Sequence, residues 1–92
     1  MERRRLQIFY AGRVQGVGFR YTVKNLACGF EVAGAVRNLA DGRVELVAEG
    51  ARAELEEFRQ AIQDSGLGHF IQQEEAAWSG AKNEFRGFEI IR

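Results

Sequence analysis

The chain has no proline, one cysteine and one histidine among 92 residues, and its thirteen basic and thirteen acidic residues leave no net charge. A single cysteine, Cys28, excludes an intramolecular disulfide and leaves the redox compartment open. One histidine and one cysteine among scattered carboxylates make no recognisable metal-ligand set. Zero net charge provides no global field to gather polyanions, which counts against a nucleic-acid partner. No apolar stretch approaches the ~20 residues of a membrane span. The N-terminus is charged and then alternates in polarity, so it does not read as a signal peptide. Lysine is scarce as well: Lys24 and Lys82 stand against eleven arginines. Arg3-Arg4-Arg5 is the one dense charge run and reads as a solvated tail rather than a contact for RNA or lipid. The expectation is a cytoplasmic monomer with no metal, no cofactor, no nucleic acid and no membrane partner.

Hydrophobic residues make up 46% of the chain, enough for one small core and too many for disorder. A single domain over residues 5–92 is expected. Residues 6–14, apolar and β-prone, predict a first strand. Phe19, Val23, Leu26, Ala27 and Phe30 fall on one helical stripe, predicting a helix over 19–27 that Gly29 stops. Strands over 31–39 and 43–49 meet across Ala40-Asp41-Gly42, a strong hairpin signal. Leu55, Phe58 and Ile62 mark a second helix over 51–63, with Glu54, Glu56 and Glu57 in its first turns, where the helix dipole favours acids. A less regular strand over 70–78 and a final one over 85–91 complete the chain. The order β-α-β-β-α-β, with one extra strand segment near Trp78, is that of an α+β ferredoxin-like sandwich: an antiparallel sheet with both helices on one face.

The most informative run is Gly12-Arg13-Val14-Gln15-Gly16-Val17-Gly18-Phe19-Arg20, a glycine-bearing loop between the first strand and first helix. Glycines let successive backbone N–H groups converge on an anion, and a helix start adds unpaired donors and a positive dipole end. Arginine contributes a permanent charge and a planar donor fork that matches phosphate oxygens. Taken alone, the run fits either an anion cradle or a plain connection. It is not a Walker A loop, because Gly18-Phe19-Arg20 stands where Gly-Lys-Ser/Thr is required. It lacks the third glycine of the dinucleotide fingerprint, since Tyr21 occupies that place.

The plait topology brings this loop near the end of the second strand, where Asn38 stands. Asparagine is disfavoured in strands, so Asn38 either starts the hairpin turn or serves the site. Elsewhere the readings are plain. Cys28, among Leu26, Ala27 and Phe30, is expected to be a buried inert thiol; His69 a surface or strand-edge residue; Asp41 a turn residue; Trp78 and the phenylalanines core or partly covered sheet residues.

Two stretches together resemble the acylphosphatase family. Its first signature, Gly-x-Val-Gln-Gly-Val-x-Phe-Arg, is matched by Gly12, Val14, Gln15, Gly16, Val17, Phe19 and Arg20. Its second, Gly-x-Val-x-Asn-x-x-Asp-Gly-x-Val-Glu, is matched by Gly34, Val36, Asn38, Asp41, Gly42, Val44 and Glu45. The chain departs from the family at Ala35, where tryptophan is common, and at Ala40, where proline is common, which bears on packing and hairpin rigidity. The resemblance implies metal-free hydrolysis of acyl phosphates, the mixed anhydrides of a carboxylate and phosphate. The substrate is then a small-molecule acyl phosphate, with inorganic phosphate as product and inhibitor. It further implies that backbone amides of Gln15, Gly16, Val17, Gly18, Phe19 and Arg20 hold the phosphate, that Arg20 binds it directly, and that Asn38 positions the attacking water. An RNA-binding module shares the element order, but its aromatics should alternate on a central strand, whereas Phe19 and Tyr21 fall at a helix start. An accessory domain of a carbamoyl-transfer protein is a further alternative.

Overall fold

The computed structural model describes residues 2–92. Strand β1 (Arg3–Gly12) is followed by helix α1 (Phe19–Ala27), strands β2 (Val32–Asn38) and β3 (Val44–Ala51), helix α2 (Arg52–Asp64), a short 3-10 turn (Gly66–Phe70), and strands β4 (Ile71–Gly80) and β5 (Phe88–Ile91). The sheet order is β4-β1-β3-β2-β5, antiparallel except where β5 runs parallel to β2. The fold is α+β and ferredoxin-like, as the element order predicts.

Period-two alternation decides which face of the sheet is covered. Leu6, Ile8 and Tyr10 of β1 are fully buried together with Val36, Val44, Leu46 and Ala48 from the neighbouring strands. Onto this face α1 packs Phe19, Val23 and Ala27, and α2 packs Leu55, Phe58 and Ile62. The opposite face carries the alternate residues, among them two carboxylates that the sheet itself covers. Glu45 accepts from Gln7 Nε2 at 2.7 Å and Arg37 Nε at 2.6 Å. Glu49 accepts from Arg5 at 2.9 Å and from the backbone amides of Lys82 and Asn83, each at 2.8 Å, which ties the connection after β4 to the sheet.

The two C-terminal strands exchange the characters expected of them. The segment expected to be irregular is a ten-residue strand that pairs with β1 from Arg4↔Gly80 to Gly12↔Ile71. The segment expected over 85–91 shortens to the four residues of β5. The reason lies in position: β4 is an edge strand that buries little, so Gln72, Gln73, Glu74 and Glu75 hide its alternation. Cys28 is also displaced from expectation. It is exposed, because α1 ends at Ala27 and residue 28 caps the helix pointing away from the stripe, its Sγ 3.7 Å from the Lys24 carbonyl.

Candidate active site

The topology gathers one end of the sheet. Both β1 and β2 run antiparallel to β3, and β5 runs parallel to β2, so the carboxyl ends of β1, β2 and β5 lie at the same edge. The glycine loop leaves β1 there, Asn38 closes β2 there, and Arg92 follows β5 there. A cavity of about 90 Å³ opens between them. Gly16, Gly18, Phe19 and Arg20 line it on the loop side, and Asn38 and Arg92 on the strand side. Val14, Tyr21 and Ile90 complete its wall.

Loop conformation follows from its glycines. Gly16 and Gly18 have φ of 79° and 77°, left-handed values that cost an L-residue roughly 1–2 kcal/mol, and the loop needs two of them within three residues. Gly18 is also the residue from which α1 starts, with no side-chain cap and no acid in the first turn. The Thr22 amide bonds the Gly18 carbonyl at 3.0 Å, so the helix is formed from its first residue. The amides of Phe19, Arg20 and Tyr21 have no partner within the helix, and the positive end of the dipole is left uncompensated. Phe19 is 2% exposed and packs on Tyr10 with ring centroids 5.2 Å apart, which anchors the helix start in the core. Arg20 is half-buried at the cavity and makes no ion pair among the described residues.

Gln15 has a role that no composition argument suggests. Its side-chain amide donates to the carbonyls of Leu39 at 2.8 Å and Arg43 at 2.9 Å, strapping the loop to the base of the β2–β3 hairpin. Neither Gln15 nor Val17 is on the cavity wall, whereas Gly16, Gly18, Phe19 and Arg20 are. The strap fixes the loop against the strand that carries Asn38.

Asn38 is the last residue of β2, paired with Val44. The hairpin closes without its side chain: the Leu39 amide bonds the Arg43 carbonyl at 2.8 Å, and Asp41 accepts from the Arg43 amide at 3.1 Å and its Nε at 2.8 Å. Those Arg43 hydrogen bonds, the backbone one foremost, hold the Asp41 carboxyl below its usual range, in keeping with a turn role. The Asn38 Oδ1, by contrast, is buried with no hydrogen-bond partner. A buried carbonyl oxygen without a donor is uncommon and calls for one. His69 is exposed in the 3-10 turn and is not on the cavity wall. The wall carries no histidine, cysteine, aspartate or glutamate.

This ferredoxin-like domain, with its glycine loop and helix start facing a strand-end asparagine, has known relatives. The acylphosphatase family model matches residues 6–90. An acylphosphatase from Acidothermus cellulolyticus is 43% identical over 90 residues, covering 95% of this chain and 86% of that protein. One from Roseiflexus sp. is 41% identical over 92 residues, covering 99% of this chain and 98% of that protein. The crystal structure of acylphosphatase from Bacillus subtilis superposes with a TM-score of 0.88 at 35% identity, covering 97% of this chain and 99% of that one. The chain belongs to the acylphosphatase family, a family of enzymes. No helix among the described residues is long and apolar enough to cross a membrane.

Proposed function

We propose that the chain hydrolyses acyl phosphates to carboxylate and inorganic phosphate in this cavity, without a metal or cofactor. The phosphoryl group is held by the loop of residues 15–20 and by Arg20, and the attacking water is held by Asn38. The observation that carries the reading is the unpartnered, buried Oδ1 of Asn38, a residue that lines a cavity whose other side is an uncapped helix start and an arginine. A water donating to that oxygen satisfies it and is held beside a phosphoryl group in the loop.

The reaction asks little more of the protein. Water oxygen attacks phosphorus, the bond from phosphorus to the acyl oxygen breaks, and the carboxylate leaves with the electron pair. Carboxylate is a weak base, so its departure needs no general acid. The water proton passes to a phosphoryl oxygen, because no side chain of the wall is a carboxylate or imidazole that could take it. A wall whose side chains include no carboxylate, imidazole or thiolate fits chemistry without a metal. Catalysis then rests on positioning and on preorganised charge around the phosphoryl oxygens. A reading as an RNA-binding module has less support: Phe19 is in the core, and the open sheet face holds Glu45 and Glu49 at its centre.

Hydrolysis of benzoyl phosphate by wild type and two variants tests the assignment. Wild type is expected to turn over in the presence of chelator, at a rate level through neutrality. Arg20→Ala should weaken inhibition by inorganic phosphate and depress turnover together, because its charge acts in ground and transition states alike. Asn38→Ala should keep phosphate affinity while turnover falls by roughly 10²-fold or more, as for one lost transition-state contact. A folded Asn38→Ala enzyme working at close to the wild-type rate would remove the water-holding role.

A further inference from the structure

Arg92 lies on the cavity wall although neither family signature contains it. Its place follows from strand pairing. The parallel register of β2 and β5 pairs Val36 with Ile90 and ends at Arg37 with Ile91, so residues 38 and 92 each follow the last pair at the same end of the sheet. Asn38, the last residue of β2, alternates to the same side of the sheet as Val36, and Arg92 follows β5 at the same end of the sheet, where the glycine loop also lies. Two arginines, Arg20 and Arg92, are thus among the residues that line one small cavity.

No aspartate or glutamate side chain stands between them, and among the described residues neither arginine forms an ion pair. Arg4, Arg5, Arg37, Arg43, Arg52 and Arg59 each engage a carboxylate; Arg3, Arg13 and Arg86 form no ion pair among the described residues, but unlike Arg20 and Arg92 they are not on the cavity wall. Two like charges near one small cavity repel each other, and a divalent anion between them turns that repulsion into attraction. At 90 Å³ the cavity holds the volume of about three waters, which suits a single tetrahedral oxyanion.

We propose that Arg92 is a second phosphoryl-binding arginine, acting from the β5 side while Arg20 acts from the helix side. The inference rests on the reading of the cavity as a phosphate site and adds a catalytic residue to it. Paired guanidinium groups favour a dianionic phosphoryl group over a monoanion. Set beside Asn38, Arg92 draws charge from the phosphoryl oxygens on the face the water approaches, so that the nucleophile meets less repulsion.

Anion binding, measured by calorimetry without turnover, separates this role from the parent reading. Phosphate and sulfate are the divalent probes and nitrate the monovalent one, each titrated into wild type, Arg92→Gln and Arg92→Lys, with folding checked by circular dichroism. Arg92→Gln is expected to weaken phosphate and sulfate binding by about tenfold, as for loss of one charge-assisted contact, with a smaller change for nitrate. Arg92→Lys should recover most of the loss, which a merely structural effect of the side chain would not reproduce. In parallel, kcat/KM for benzoyl phosphate should fall about tenfold in Arg92→Gln. Equal phosphate binding by wild type and Arg92→Gln would overturn the role of Arg92 and leave the phosphate site standing. Absence of phosphate binding in wild type would overturn both.

Discussion

The two helices of this fold begin in opposite ways. Neither has a side-chain cap. Helix α1 starts from a left-handed glycine, and its third position is Tyr21, 65% exposed. Helix α2 starts from Ala51 in extended conformation, and its third position is Glu54. That carboxylate sits against the positive end of the α2 dipole and accepts the Glu31 amide at 2.7 Å. In the next turn Glu56 takes Arg52 at 3.1 Å, and Arg52 also covers the Trp78 ring at 4.5 Å. The start of α2 thus carries its own anion, in covalent form. The start of α1 lacks one, and the cavity before it holds arginines instead. An uncapped helix start gains from negative charge, and α1 has no acidic side chain in its first turn to supply it, which fits the proposed anion site.

The comparison can be broken most forcefully by making α1 resemble α2. Tyr21→Glu places a carboxylate at the position that Glu54 occupies, on an exposed residue where the fold tolerates it. Phosphate inhibition should weaken and kcat/KM for benzoyl phosphate fall, each by roughly 10–100-fold, while thermal stability holds or rises by a few tenths of a kcal/mol. Activity and melting curves of the purified variant decide the matter. Undiminished phosphate affinity would show that the α1 start does not serve as the anion site.

Acid sharpens the contrast next. No aspartate or glutamate among the described residues lines the α1 cavity, whereas stability elsewhere leans on one. Burial opposes the charge of Glu49, but the amides of Lys82 and Asn83 and the Arg5 guanidinium outweigh it and hold its pKa below the usual range. A group depressed in this way stabilises the fold above its unfolded value of ~4.3, and the contribution fades as pH falls through the folded value. Glu49→Gln should therefore cost about 2–3 kcal/mol near neutral pH, with the gap to wild type closing below pH ~4. Denaturant melts across that range measure it, and a gap that stays constant with pH would contradict the ionic role.

The smallest effect is expected from emptying the α2 start. Glu54→Gln removes the charge at the dipole and weakens the bond to the Glu31 amide, at a cost of about 1 kcal/mol. Benzoyl phosphate turnover should not change. A drop in turnover would mean that the two helix starts are coupled through the core.

Much of this architecture is legible in the residues alone. The stripes of α1 and α2, the Asp41-Gly42 hairpin and the glycine loop all depend on contacts a few residues apart, where periodicity and turn chemistry act directly. Burial was harder to read at the ends of elements. Cys28 lies one residue past the helix, and that single step carries it out of the stripe. Strand β4 pairs with β1 along its length, but as an edge strand it has few apolar residues to announce the pairing.

By itself the sequence determined the local chemistry: which loop can bend with positive φ, which helix starts without an acid, which arginine follows the glycine loop and which asparagine precedes the hairpin turn. These follow from bonds and clashes among near neighbours. Only the tertiary structure decided that Gln15 reaches 24 and 28 residues along the chain to strap the loop to the hairpin. It alone left Asn38 Oδ1 buried without a donor and carried Arg92 to the same cavity as Arg20. Those outcomes depend on strand order and register, which set side chains from distant segments at one sheet edge. Backbone pairing across the sheet fixes them, and no short run of residues encodes it.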